Sequence, residues 1–283
     1  MAFSYSSEQL SCCLDPLVRM VRGLRRSGKT IIIGLQGGQG TGKTTLATYL
    51  AAGLSGQGCR VVSFSIDDFY ASYEDRKRLS AQYPGNPFYE IPRGMPGTHR
   101  TSELLSALSC LKSGNDVDLP VFDKSMHQGN GDIANRVVSV RGRQDFVLFE
   151  GWCIGTPQAT SDELIEIMHK NRLSDFGPMP AAEHLEAVLS HLGPYQRLWE
   201  LIDFLVMLIP DSLDLHERWR LEQEKELIAR TGEGMTDLQV SSMVRHFLPL
   251  TCLCNAKIVS DVLIRINKEH AFYGMTSPKS QRG

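Results

Sequence analysis

Gly37-Gly38-Gln39-Gly40-Thr41-Gly42-Lys43-Thr44 matches G-x-x-x-x-G-K-[ST] at every fixed position, and its surroundings decide the fold. The β-branched run at residues 30–35 predicts a strand entering the glycine-rich turn. Residues 44–54 predict a helix leaving it, with Leu46, Ala47, Leu50, Ala51 and Leu54 on one face. Strand, turn and helix in that order make a phosphate-binding loop. The glycines let backbone N–H groups turn inward around phosphate oxygens, and the helix N-terminus adds the positive end of its dipole. Lys43 then neutralises the β- and γ-phosphates while Thr44 ligates Mg²⁺.

Outward from this loop, residues 60–66 give a second strand, ended by Asp67-Asp68 and expected to lie beside the first. Further strands at 145–149, 201–209 and 256–266 alternate with helices at 161–169, 180–192, 213–229 and 237–247. That alternation predicts a mostly parallel sheet covered on both faces, a three-layer α/β/α fold of the P-loop NTPase class. Residues 70–142 are rich in Pro, Gly, Asn, Tyr and Asp and show one helix, at 101–111, so they are expected to be a substrate-binding insertion made of functional loops. Asp15-Pro16 opens an amphipathic helix within an N-terminal extension, residues 1–28, expected to precede the core rather than form it. The length of the whole chain, 1–283, allows one large domain or two small ones, and it is read as a single domain with a lid at 212–235.

Composition narrows the partners. The 283 residues carry 30 Lys+Arg against 32 Asp+Glu and are 42% hydrophobic, which excludes disorder and collagen. A net charge of −2 creates no global field for a nucleic-acid backbone or an anionic membrane, so neither is expected as a partner and anion binding must be local. The longest apolar stretch, residues 201–210, is half a membrane span and contains Asp203. The N-terminus lacks the pattern of a secretory signal. Seven scattered cysteines suit free thiols in a reducing compartment, the cytoplasm, and Cys252-Leu253-Cys254 lacks the second ligand pair of a zinc site.

The ends of the second and third strands face the ligand crevice of an open parallel sheet. Asp67-Asp68 at the first of these offers a general base or orienting group for an acceptor hydroxyl, although adjacent side chains on extended backbone point apart and only one can face the crevice. Glu150 at the other suits a carboxylate near Mg²⁺ and its waters. The segments 93–99 and 120–125 supply cationic and hydroxyl groups for a small anionic or polyhydroxy acceptor. His216-Glu217-Arg218-Trp219-Arg220 opens the charged helix at 213–229, where a mobile arginine could close over the transferring phosphate, with Gly232 and Gly234 as a hinge.

Together Gly-Gln-Gly-Thr-Gly-Lys-Thr at 38–44, Asp-Asp-Phe-Tyr at 67–70, Gly-Met-Pro-Gly-Thr-His at 94–99, Phe-Asp-Lys-Ser at 122–125 followed by Gly131-Asp132, and Glu-Gly-Trp at 150–152 resemble the plant-type D-glycerate 3-kinases. That family is similar in fold to uridine and pantothenate kinases. The resemblance implies ATP-dependent phosphorylation of the 3-hydroxyl of D-glycerate, with Asp67 as base. It implies that the loop from Gly37 to Thr45 holds the triphosphate and Mg²⁺, and that Arg218 or Arg220 belongs to a lid. Asp68, Tyr70, His99, Asp123 and Lys124 fall on the acceptor side. Two positions depart from the family: Arg100 stands where an acid is usual and Phe122 where Tyr is frequent, a change expected to favour a more anionic acceptor. The reading is therefore a Mg-ATP-dependent kinase of a small hydroxy acid, D-glycerate first. Its rivals are a kinase of the same fold for a nucleoside, pantothenate-like or sugar acceptor, and an ATP-driven regulatory or chaperone-type protein.

Overall fold

A computed structural model describes residues 5–90 and 93–277. Ile31–Gly37 (β1), Val61–Ser65 (β2), Phe146–Gly151 (β5), Phe204–Pro210 (β6) and Val262–Ile266 (β7) form a parallel sheet. Phe272–Thr276 (β8) closes one edge antiparallel to β7, and the order is β2-β5-β1-β6-β7-β8. The expectation that the second strand lies beside the first is corrected, because β5 intervenes and pairs with both. Its sequence, Phe-Val-Leu-Phe, is buried at every position, as a central parallel strand must be to cover both faces.

The strand faces divide the core. Ile33 and Leu35 of β1 join Phe146 and Leu148 of β5 beneath the helix Lys43–Ser55, while Ile32, Val147 and Phe149 face the helix Thr101–Ser113 on the other side. The N-terminal helix Asp15–Gly23 does not precede the core. It buries Leu17, Val18 and Val21 in the same cluster as Leu46 and Leu50. An amphipathic stripe this apolar finds its partner on the loop helix rather than in water.

The stretch 70–142 holds more structure than its composition suggests. The helix Tyr73–Gln82 is capped by Ser72, whose side chain accepts from Asp75 N–H, and its polar sequence hid it. Val117–Asp123 (β3) and Asp132–Val140 (β4) form a separate antiparallel hairpin with a register shift between Pro120 and Phe122. Proline cannot donate to a ladder, so a strand containing it reads as a loop unless, as here, a bulge accommodates it. The helix Asp237–Lys257 likewise continues through Pro249, past the expected stop at 247. The last turns bury Leu250, Cys252, Leu253 and Cys254, and that burial offsets the roughly 3 kcal/mol cost of an interior proline. The strand expected at 256–266 is correspondingly shorter, beginning only at Val262, and it is not the last, because β8 follows it across a short turn. Among the described residues, no helix is long and apolar enough to cross a membrane.

Candidate active site

The turn after β1 needs left-handed backbone at Gly40 (φ +73°) and Gly42 (φ +82°), the latter at the N-terminus of Lys43–Ser55. Gly38 is required for packing: a Cβ there would lie 2.2 Å from Cε1 of His216. His216 and Trp219 come from the helix Asp214–Thr231 and brace the loop from behind. His216 Nδ1 donates to the Gln39 carbonyl at 2.8 Å, and burial lowers its pKa to about 4, so the ring is neutral. Trp219 stacks on His270 at 4.2 Å. Lys43 Nζ folds back onto the Gly38 carbonyl (2.9 Å), which also accepts from the Thr41 hydroxyl (2.9 Å). Burial pulls the Lys43 ammonium below its ordinary value, against the opposing pull of Glu150 and Asp67.

Thr44 Oγ1 donates to Glu150 Oε1 at 2.9 Å, joining the loop helix to the end of β5. Both groups are hard oxygen donors, and Glu150 is buried. Such a pair fits magnesium, which keeps several waters and is held by few protein ligands together with substrate phosphates.

Beyond β2 the backbone is not extended. Ile66–Phe69 form a 3-10 turn capped by Ser65, and this, rather than strand alternation, separates the aspartates. Asp68 Oδ2 accepts from Ser65 N–H at 3.1 Å and its carboxylate also receives the Phe122 N–H. Desolvation by burial nevertheless raises its pKa. Asp67 instead receives Lys124 Nζ at 2.6 Å and the Tyr70 hydroxyl. Burial alone would push the Asp67 carboxyl up, but the Lys124 ammonium beside it carries it below the usual carboxylate value.

The segment 94–99 docks on this turn: Ala71 N–H donates to the Thr98 carbonyl (2.8 Å) and Arg100 N–H to the Phe69 carbonyl (2.7 Å). His99 thereby stacks on Tyr70 at 4.4 Å, and Phe122 meets Tyr70 edge-on at 5.1 Å. A cavity of about 590 Å³ over the strand ends collects Gln39, Gly40, Gly42, Lys43, Thr44, Thr45, Asp67, Asp68, Tyr70, His99, Lys124, Glu150 and Arg220. Gly37, Gly38 and Thr41 shape the loop from behind.

Two residues of the expected set stand apart. Arg218 pairs with Glu222 (3.1 Å) on an exposed face, whereas Arg220, paired with the buried Glu224 at 2.7 Å, is turned to the cavity. Asp123 accepts from Ser125 N–H and Oγ in the hairpin turn and does not line the cavity. Arg100 also faces elsewhere: Nε donates to the Tyr70 carbonyl, Nη1 pairs with Glu103, and the guanidinium lies over Phe69. Its charge is therefore not delivered to the acceptor side. Gln223, Trp152 and Phe247 also line the cavity. Gln223 follows Arg220 at helical spacing and was findable by that rule, while Phe247 comes from a distant helix with no local signal.

No family model matches the chain. It is 34% identical over 227 residues to an uncharacterized kinase of Schizosaccharomyces pombe, covering 78% of this chain and 80% of that protein. It is 32% identical over 232 residues to the chloroplastic D-glycerate 3-kinase of Arabidopsis thaliana, covering 77% of this chain and 46% of the larger enzyme. Among solved structures, the D-glycerate 3-kinase of Cryptococcus neoformans superposes with a TM-score of 0.80 at 30% identity, covering 93% of this chain and 96% of that one. All three are named as kinases, two of them as D-glycerate 3-kinases, and this chain is accordingly a phosphotransferase with an alcohol group as acceptor. The chain belongs to the D-glycerate 3-kinase family of P-loop kinases.

Proposed function

We propose that this kinase transfers the γ-phosphoryl group of ATP to the 3-hydroxyl of D-glycerate. The observation that carries the reading is the Asp67–Lys124 pair, which places an ionised carboxylate in one cavity with Lys43, Thr44 and Glu150. The loop from Gly37 to Thr45 holds the triphosphate, with Lys43 swinging from the Gly38 carbonyl to the β/γ-phosphates. Thr44 and Glu150 would hold a magnesium ion, which would supply neutralisation of the charge on the transferring phosphoryl group. Asp67 orients the acceptor hydroxyl and takes its proton as the new P–O bond forms and the bond to ADP breaks. Lys124 and His99, which line the same cavity, supply donors to the glycerate carboxylate and remaining hydroxyl. The acceptor face is supplied by the insertion 70–142, and residues 212–235 act as the lid through Arg220. The seven free thiols support a cytoplasmic setting.

An ADP-release screen across D-glycerate, other hydroxy acids, nucleosides, pantothenate and sugars tests this reading. D-glycerate is expected to give the largest acceptor-dependent rate with magnesium present. A nucleoside preference would replace the acceptor and keep the kinase. ATP hydrolysis indifferent to every acceptor would favour a regulatory role.

A further inference from the structure

Tyr195, on the helix Gly193–Trp199, is buried and reaches His99. Its hydroxyl oxygen accepts the Gly97 N–H at 3.2 Å. The same oxygen lies 2.7 Å from His99 Nδ1. A phenolic hydroxyl has two lone pairs and one proton. Nδ1 is the one acceptor within reach of the hydroxyl proton among the described residues, and the reverse arrangement would leave that buried proton without a partner, so the hydroxyl donates and Nδ1 accepts. The ring is buried and its pKa is lowered to about 4, so at neutral pH it carries one proton. That proton must sit on Nε2, which is buried and has no hydrogen-bond partner among the described residues. The imidazole is fixed between Tyr70, stacked at 4.4 Å, and Tyr195, edge-on at 5.8 Å, and His99 lines the cavity with Asp67 and Lys124.

We infer that Tyr195 is a positioning residue that locks His99 as its Nε2–H tautomer, making it a neutral hydrogen-bond donor to the acceptor substrate. The acceptor must present an oxygen lone pair there, as a carboxylate or hydroxyl does. An ammonium at the same point would set donor against donor. The acceptor half of this inference rests on the proposed D-glycerate reading, while the tautomer does not depend on it.

The test uses the full chain labelled with ¹⁵N-histidine. In the ligand-free protein, the His99 resonances, assigned by their loss in His99→Gln, are expected to show a protonated Nε2 and an unprotonated Nδ1 between about pH 6 and 8. A protonated Nδ1 in the unmutated protein would overturn the inference, whether or not D-glycerate is the substrate. In Tyr195→Phe the two nitrogen shifts should move toward each other as the tautomers mix. With D-glycerate the same variant is expected to raise the acceptor KM about 5- to 50-fold while kcat changes less than about threefold. His99→Ala should raise KM about 10- to 100-fold, and His99→Gln, which keeps an N–H near the Nε2 position, should recover most of that loss. Unchanged resonances and unchanged KM in Tyr195→Phe would remove the positioning role. If the unmutated protein shows the Nε2–H pattern but no turnover of D-glycerate, the lock stands and the proposed acceptor fails.

Discussion

At the scale of single residues, Asp67 and Asp68 have the same side chain and opposite surroundings. Both line the cavity, but Asp67 is held ionised by Lys124, whereas Asp68 accepts from Ser65 N–H and caps its own turn. Asp67→Asn is expected to lower kcat about 10²- to 10⁴-fold with ATP affinity unchanged, measured by turnover and calorimetry. Asp68→Asn should cost about 1 kcal/mol in thermal stability and much less in turnover. The Lys124 pair also gives a pH dependence with a definite sign. Because the Asp67 pKa is depressed in the folded protein, the pair stabilises the fold above the unfolded carboxylate pKa and loses that contribution as pH falls through the depressed value. Lys124→Met removes the ammonium and leaves the burial, so the acid limb of kcat against pH should move upward. A limb that stays in place would show that Lys124 does not set the ionisation of Asp67.

At the scale of elements, the helix Asp214–Thr231 serves two surfaces. His216 and Trp219 press on the back of the phosphate loop, and Arg220 reaches the cavity at its front. Gly38→Ala would push a methyl into the His216 ring and should cost about 1–3 kcal/mol by thermal unfolding. Combined with His216→Ala, the loss should fall short of the sum of the two single losses, since the second change opens the space that the first requires. Strict additivity would mean that loop and helix are not in contact in solution. The arginines separate in the same way. Arg220→Ala should depress kcat more than ATP affinity, while Arg218→Ala, which breaks only an exposed pair with Glu222, should leave both nearly unchanged.

At the scale of the whole molecule, the N-terminal helix belongs to the core beneath the phosphate loop. Leu17 is fully buried in the cluster that contains Leu46 and Leu50. Leu17→Ala should therefore cost about 2–5 kcal/mol and lower Tm by about 5–15 °C, read by thermal denaturation with and without ATP. A shift under about 2 °C would return this helix to a peripheral extension.

The parallel sheet, the phosphate loop and the carboxylates at the ends of β2 and β5 were legible in the residues themselves. Strand-turn-helix punctuation and the glycine spacing are local properties, set by backbone sterics and by periodicity within a few residues. Tertiary structure decided what depends on partners distant in sequence. It inserted β5 between β1 and β2, and it kept the helix Asp237–Lys257 running through Pro249 because core burial outweighs a lost hydrogen bond. It folded the polar stretch after Tyr70 into a helix and a bulged hairpin, elements whose stability comes from caps and cross-strand pairing rather than from an apolar pattern. The choice of Arg220 over Arg218 likewise follows from which side of one helix faces the cavity, and the place of Tyr195 behind His99 joins residues 96 positions apart. Local sequence specifies which conformations are cheap, but only the packed molecule brings a hydroxyl, an imidazole and a carboxylate within hydrogen-bond reach.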